Sequence, residues 1–307
     1  KKARNKDKPF LKIIKKIYEI YNLEKNSQGI IDFDDMIYMA TKLVQNKGVK
    51  KNYQYIIIDE YQDTSKIREN LVREIQKKTN AFVTVVGDDF QSIYRFSGCD
   101  INHFLRFTKN FKPAKKLYLT NTYRNSKELI RVAGDFIMEN PRQIKKKLKS
   151  SKSIKKPIHI YYYKNKKDII QLLKILPNNL MVLGRNNHDL YDYFSNFNIQ
   201  NDKIIFQNKN IYYKTIHKSK GLEEENILIV NLTNESNSLP SKIKEEQILK
   251  YVTKKDIYPY EEERRLFYVA LTRTKNKCFL FVPKTNPSIF ILELIKNYRE
   301  YISIIHL

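Results

Sequence analysis

Four residues, Tyr55-Ile56-Ile57-Ile58, run directly into two adjacent carboxylates, Asp59 and Glu60, and this junction restricts the folds open to the chain more than any other feature. A short apolar run of this kind reads as a buried strand. Carboxylates at the C-terminal end of such a strand stand where open α/β sheets bind their ligands. The pair suits a nucleoside triphosphatase, which needs a magnesium acid and a catalytic base at that place. A solvated acidic turn after a buried strand is the alternative reading of the same residues.

A second run, Phe82-Val83-Thr84-Val85-Val86, ends in Gly87-Asp88-Asp89-Phe90-Gln91-Ser92-Ile93-Tyr94-Arg95 and brings more polar residues to one edge. Between the runs, Ile67, Leu71, Val72 and Ile75 recur at helical spacing over 66–78, which predicts a strand, a helix and a strand forming one α/β unit. Upstream, Ile13, Ile14, Ile17, Ile20 and Tyr21 predict a helix over 10–22, and a capped helix is expected over 32–43. A second alternation begins near Leu117, with strands expected at 116–119, 158–163, 180–183, 227–231 and 278–282 and helices between them. The stretch from Lys145 to Lys156, rich in Lys and Ser, reads as a solvated connection, with a DNA-backbone contact as the second reading.

Composition narrows the function classes. With 41% apolar residues in 307, the chain can bury about two real cores and is not a disordered segment. Its longest apolar runs, such as Cys278-Phe279-Leu280-Phe281-Val282, fall far short of the roughly 20 residues that span a bilayer, so no membrane partner is expected. Cys99 and Cys278 have no metal-ligand spacing and read as unpaired structural thiols of a reducing, cytoplasmic setting. The formal charge of +25 favours a polyanionic partner, although much of the lysine follows from a general bias toward Lys, Asn, Ile and Tyr. Only 13 of the 58 basic residues are arginine, yet Arg95, Arg124, Arg185, Arg264, Arg265 and Arg273 fall in or beside the motifs, where planar bidentate geometry has a use.

Three more motifs follow in order: Thr122-Tyr123-Arg124-Asn125, Lys214-Thr215-Ile216-His217-Lys218-Ser219-Lys220-Gly221-Leu222-Glu223, and Glu262-Glu263-Arg264-Arg265-Leu266-Phe267-Tyr268-Val269-Ala270-Leu271-Thr272-Arg273. With the two strand ends, they resemble motifs II to VI of UvrD/Rep-type superfamily 1 DNA helicases over nearly the whole chain from about Gly29. Ile31-Asp32-Phe33-Asp34-Asp35-Met36-Ile37, Asn140-Pro141-Arg142-Gln143 and Pro287-Ser288-Ile289-Phe290 are closest to the DNA helicase IV branch.

The resemblance implies an α/β, RecA-like P-loop NTPase fold with a partial first RecA-like domain and a second one. Residues 1–28 would be the helical tail of an accessory 1B-type region, 29–115 the C-terminal part of domain 1A with motifs II and III, and 116–307 domain 2A with motifs IV, V and VI. Only about 30 residues separate Arg185 from Thr215, so a large 2B insertion is absent. The cofactors implied are ATP and Mg2+. Asp59 would hold magnesium, Glu60 would polarise the attacking water, and Gln91 would sense the γ-phosphate and link it to the DNA-facing Tyr94 and Phe96. Arg124 and Arg273 would stabilise γ-phosphate charge, Tyr123 would stack on adenine, and Glu223 would take the ribose hydroxyl where Gly221 permits close backbone approach. Glu223 otherwise reads as a solvent-facing member of the run Glu223 to Glu225. Phe96 stands where many relatives carry Trp, and Thr215 and His217 resemble a pair that contacts the DNA backbone. Arg264 and Arg265 are supporting residues, with pairing to Glu262 or Glu263 open to either.

The activity implied is the C-terminal motor portion of an ATP-dependent 3′ to 5′ DNA helicase, with single-stranded DNA, duplex junctions and repair or transcription proteins as partners. None of the seven glycines belongs to a G-x-x-x-x-G-K-[ST] phosphate loop, and the chain opens with Lys1-Lys2 without an initiator methionine. The expectation is an N-terminally truncated helicase whose missing P-loop segment is needed for turnover. A non-catalytic nucleic-acid-binding or protein-interaction module from a split gene is the alternative.

Overall fold

The computed structural model describes residues 7–244, 248, 251 and 257–307, so the first six residues of the expected 1–28 segment lie outside it. The chain divides into two compact units. The first contains Lys1–Asp88, Tyr94–Lys115 and Lys244–Lys255, and the second contains Asp89–Ile93, Lys116–Ile243 and Asp256–Leu307.

In the first unit, α1 (Lys8–Gln28) stops at Gly29, whose φ of 66° is left-handed. Asp32 then opens α2 (Phe33–Lys47) with a capping box: its side chain accepts from the Asp35 amide, and the Asp35 side chain accepts from the Asp32 amide. The buried Lys25 ammonium binds both carboxylates, at 2.8 Å for Asp32, and holds the Asp32 carboxyl well below the usual range with help from the Asp35 amide. Strand β1 (Tyr55–Ile58) lies parallel to β2 (Phe82–Val85) in the register Tyr55↔Phe82 to Ile58↔Val85, with α3 (Lys66–Thr79) as the crossover. Two single-turn helices, α4 (Asn102–Leu105) and α5 (Phe107–Asn110), close this unit against α3 through Glu69. That buried carboxylate takes His103 Nδ1 at 2.7 Å and both Lys66 and Arg73 at 3.1 Å.

The second unit holds α6 (Lys127–Met138), β3 (Ile158–Tyr163), α7 (Ile169–Ile175), β4 (Asn179–Gly184) and α8 (Asp189–Phe194). It continues with β5 (Asn198–Gln200), β6 (Lys203–Phe206), β7 (Lys209–Thr215), β8 (Glu224–Ile229), α9 (Glu261–Leu271), β9 (Thr274–Pro283), α10 (Ile289–Tyr298) and β10 (Ile302–His306). Its sheet runs β10-β3-β9-β8-β4-β7-β6-β5, parallel throughout except for the antiparallel β5–β6–β7 edge. Parallel strands need cover on both faces, and the alternation of side chains supplies two cores. One packs Tyr161, Tyr163, Leu180, Val182, Leu228, Phe279 and Phe281 against α7 and α8. On the other, Phe136 of α6, Phe267 of α9 and Phe290 of α10 form an aromatic triangle with centroids 5.2–5.6 Å apart.

The chain is thus of the α/β, RecA-like class, and the expected strands at 158–163, 180–183, 227–231 and 278–282 are β3, β4, β8 and β9 within a few residues. Residues 116–119 are not a strand. Leu117 and Leu119 are 79% and 88% exposed, and only Asn121 makes an isolated bridge, to Lys149. Nor is Lys145 to Lys156 a solvated connection throughout. Lys152 Nζ donates to Lys275 O at 2.6 Å and Asn276 Oδ1 at 2.9 Å, while Ser153 and the Ile154 amide bind Glu128.

Gly184, at the C-terminal end of β4, has a steric reason. A Cβ there would collide with the Tyr213 hydroxyl and stand 2.8 Å from Asp189 Cβ. Neither can retreat. Tyr213 donates to Asn186 O, and buried Asp189 accepts from the Asn186 amide and Asn231 Nδ2, each at 2.9 Å. Gly184→Ala is therefore expected to destabilise the second unit by about 2 kcal/mol, read as a lowered denaturant midpoint at unchanged slope.

Candidate functional site

The first unit presents the strand-end carboxylates. Asp59 follows β1 directly, and both Asp59 and Glu60 are exposed. Glu60 adopts φ 49°, ψ 40°, a left-handed conformation that costs a residue with a Cβ about 1–2 kcal/mol. Strain of this kind persists only where neighbours enforce it. Here the Glu60 amide donates to Asp59 Oδ1 at 2.8 Å, and the Gln62 carboxamide donates to Glu60 Oε2. Fully buried Gln62 also accepts the Asp88 amide at 3.0 Å, while the Tyr61 amide donates to Val86 O at 2.9 Å. The two strand ends are thereby stitched together, and Gly87 is required because a Cβ would fall on the Gln62 carboxamide. Tyr94 is half-buried, which raises its hydroxyl pKa, and it meets the 75% exposed Phe96 edge-to-face at 6.0 Å.

The second unit gathers the other predicted residues into three places. Tyr123, Arg124 and Glu223 line a cavity of about 530 Å³ together with Asn121, Thr122, Lys152, Glu225 and Lys275. Within it Arg124 Nε donates to Glu223 Oε2 at 2.6 Å and Lys275 Nζ lies 3.1 Å from Glu223 Oε1, so Glu223 is held below the usual carboxylate range by Arg124 first and Lys275 second. Tyr123 presents an exposed ring at the same cavity. Gly221 is not among its lining residues. Its φ of 83° gives the conformational reason for glycine, since nothing stands within 4 Å of an added Cβ.

Arg273 forms the second place. It leaves the turn between α9 and β9, is 2% exposed, and donates to Val269 O and Leu222 O at 3.2 Å and to Gln91 Oε1 at 3.3 Å. Residues Asp89–Ile93 pack into this unit beside it. Arg265 Nε donates to Ser92 O at 2.6 Å and Lys220 Nζ to Gln91 O at 2.9 Å. Arg265 also pairs with Glu261, which Arg142 reaches from the other side at 3.2 Å. Arg264 instead forks onto Glu293 of α10 at 2.6 and 2.8 Å and lies over the Phe136, Tyr258 and Phe290 rings. Both arginines are buried rather than on a helix surface.

Thr215 and His217 make the third place, at the end of β7. The Thr215 hydroxyl accepts the Lys218 amide at 3.3 Å. Burial, then the positive charge of Arg185, pushes the His217 pKa down to about 4. Arg185 itself is fixed by a bidentate pair to Glu263, closing at 2.8 Å. Sequence reasoning missed Lys275, Lys146, Glu261 and the pairing of Glu263 with Arg185. Their partners lie tens to more than a hundred positions away, except for the Arg265–Glu261 spacing of four, which was readable.

A model of the UvrD/REP helicase N-terminal domain matches residues 1–112, and one of the UvrD-like helicase C-terminal domain matches residues 184–285. The chain is 29% identical over 299 residues to DNA helicase IV of Escherichia coli K12, covering 94% of this chain and 42% of that protein. It is 30% identical over 210 residues to the ATP-dependent DNA helicase Rep of Buchnera aphidicola subsp. Baizongia pistaciae, covering 66% and 30%. With the ATP-dependent DNA helicase PcrA of Bacillus subtilis 168 it shares 32% identity over 157 residues, covering 50% and 21%. The chain thus spans less than half the length of these relatives.

The depressed His217 pKa has a consequence for stability. The unfolded chain binds this proton near 6.5 and the folded chain near 4, so the contribution of neutral His217 is complete above 6.5 and is lost as pH falls through that window. Allowing for its partial exposure, about 2 kcal/mol of the second unit's stability should disappear between pH 7 and pH 4. Denaturant midpoints measured at both pH values should show this loss in the parent chain and a smaller one in His217→Gln.

Proposed function

The chain belongs to the UvrD/Rep family of superfamily 1 DNA helicases, and we propose that it is the C-terminal motor portion of an ATP-dependent helicase that moves 3′ to 5′ on single-stranded DNA. One observation carries the proposal: Arg273 donates to Gln91 Oε1 at 3.3 Å across 182 positions, joining two motifs whose expected roles concern the same γ-phosphate. In the proposed domain scheme residues 1–28 end a 1B-type region, 29–115 belong to 1A, and 116–307 form 2A without a large 2B insertion.

The donor set fits a nucleotide. Arg124, Lys152 and Lys275 supply three cations around the cavity, Glu223 an acceptor for a ribose hydroxyl, and Tyr123 an exposed aromatic face for adenine. Among the described residues no group of three His, Cys, Asp or Glu side chains is set to cage a metal. Magnesium binds through one or two carboxylates, water and nucleotide oxygens, and Asp59 is the carboxylate assigned to it in this reading. When bound, the ion would neutralise phosphate charge. Glu60 would polarise the attacking water, Gln91 would sense the γ-phosphate, and Arg124 and Arg273 would counter the charge that develops on it.

On the DNA side, Tyr94 and Phe96 offer stacking faces and Thr215 and His217 polar contacts to the backbone. Neutral His217 donates one ring N–H as a hydrogen-bond donor rather than as a cation. Duplex junctions and repair or transcription proteins are the proposed partners in a cytoplasmic setting. Among the described residues no helix is long and apolar enough to cross a membrane.

These 307 residues contain no phosphate loop, so turnover requires one joined to them. The expected result is no DNA-stimulated ATP hydrolysis by this polypeptide alone, activity in the full product of its gene, and a loss of at least about 100-fold there on Glu60→Gln. Inactivity in both, with salt-sensitive binding of single-stranded DNA retained, would support the non-catalytic module instead.

A further inference from the structure

Asp89 is fully buried, and a buried carboxylate is tolerated only where it is paired and hydrogen-bonded. Its Oδ2 accepts the Ile144 amide at 2.7 Å, and its Oδ1 takes the Lys146 ammonium at 2.8 Å. The same ammonium stands 3.8 Å from the centroid of the Phe90 ring, whose edge packs against Tyr268 of α9 at 5.2 Å. Lys146 thus grips two consecutive residues immediately before Gln91. Its side chain is only 13% exposed although it sits in a lysine-rich run whose Lys145, Lys147 and Lys149 all face solvent.

We infer that Lys146 is a positioning residue for Gln91: by neutralising Asp89 and covering Phe90 it fixes the backbone from which the Gln91 carboxamide reaches Arg273. The inference rests on the proposed role of Gln91 only for its functional meaning. Its geometry is complete in the second unit without any ligand. Two anchors act on the C-terminal side, the Arg265 bond to Ser92 O and the Lys220 bond to Gln91 O, but both hold main-chain carbonyls. The Lys146 grip adds a restraint on side chains on the N-terminal side, beside the Ile144 amide on Asp89 and the Tyr268 ring on Phe90. A backbone shift of about an ångström there lengthens a 3.3 Å contact beyond hydrogen-bond range.

The test uses the whole chain without nucleotide, so its outcome is independent of whether the cavity takes ATP. The Gln91 side-chain amide and the Arg273 guanidinium are followed by nuclear magnetic resonance, the former assigned through Gln91→Asn. Lys146→Met should move the Gln91 carboxamide toward the shift of a solvated glutamine and speed Arg273 Nη–H exchange about tenfold, while the signals of β4, β8 and β9 stay in place. Lys146→Arg, which keeps the charge, should restore most of both signatures. Should Lys146→Met unfold the second unit, Asp89→Asn keeps the acceptor for the Ile144 amide while removing the charge, and it should show the same two changes. Unaltered Gln91 and Arg273 signals in folded Lys146→Met or Asp89→Asn, or failure of Lys146→Arg to restore them, would overturn the inference.

Discussion

A guanidinium group cannot shed its charge, so its burial dictates what surrounds it. Arg273 is almost wholly buried, and its acceptors include groups from three separate stretches of chain: Val269 O one turn back in α9, Leu222 O after the 3₁₀ turn at His217, and Gln91 Oε1. Losing any one of these bonds leaves a buried cationic N–H without that acceptor, a cost of about 1.5–3 kcal/mol. Much of the second unit's polar interior follows the same rule. Arg265 is held by Ser92 O and Glu261, Arg264 pairs through both Nη atoms with Glu293, and Lys146 pairs with Asp89. In this unit the fixed charges set which loops meet, and the sheet supplies the edge at which they do so.

How much of this was legible in the sequence depended on the range of the interaction. β3, β4, β8 and β9 were readable because parallel strands buried on both faces are continuous apolar runs, as Leu180 to Leu183 and Cys278 to Val282 are. The run at 116–119 instead alternates Leu with Lys and Tyr, no neighbouring strand accepts its backbone, and its leucines remain exposed. The β5–β6–β7 edge was not anticipated. Its turn residues are Asn201 and Asp202 at positive φ, and Asn-Asp is a weaker hairpin signal than Asn-Gly. β10 was missed because Ile302 to His306 is five residues long and its fate depends on pairing with β3, more than 130 positions earlier.

The first unit shows what local consistency alone can achieve. Its helix ends carry their own signals, Gly29 and the Asp32–Asp35 box, and Glu69 is surrounded by Lys66, Arg73 and His103. Its sheet, by contrast, is two strands wide, and Tyr55, Ile57, Phe82 and Val86 are exposed on it. Two parallel strands with an open apolar face gain little from burial, so this unit depends on its helices and on the Gln62 stitch between Glu60 and Asp88. The strained backbone of Glu60 is carried by that stitch rather than by the sheet.

The two arginines assigned to the γ-phosphate differ in how they are held, and the difference has mechanistic content. Arg273 is almost wholly buried and gives up its contacts only at the cost of leaving buried cationic N–H groups without those acceptors. Arg124 is about a third exposed and pairs with Glu223 across an open cavity, an ion pair of the solvent-screened kind worth roughly 0–1 kcal/mol. Exchanging Glu223 for a phosphate therefore asks little of Arg124, and Glu223 does not become an uncompensated carboxylate when it loses that partner, because Lys275 remains at 3.1 Å. In the proposed role, the carboxylate would then be available to a ribose hydroxyl while still held by Lys275. One arginine is thus built as a fixed element of the scaffold and the other as an exchangeable partner. That division suits the proposed function, in which the site binds and releases nucleotide repeatedly.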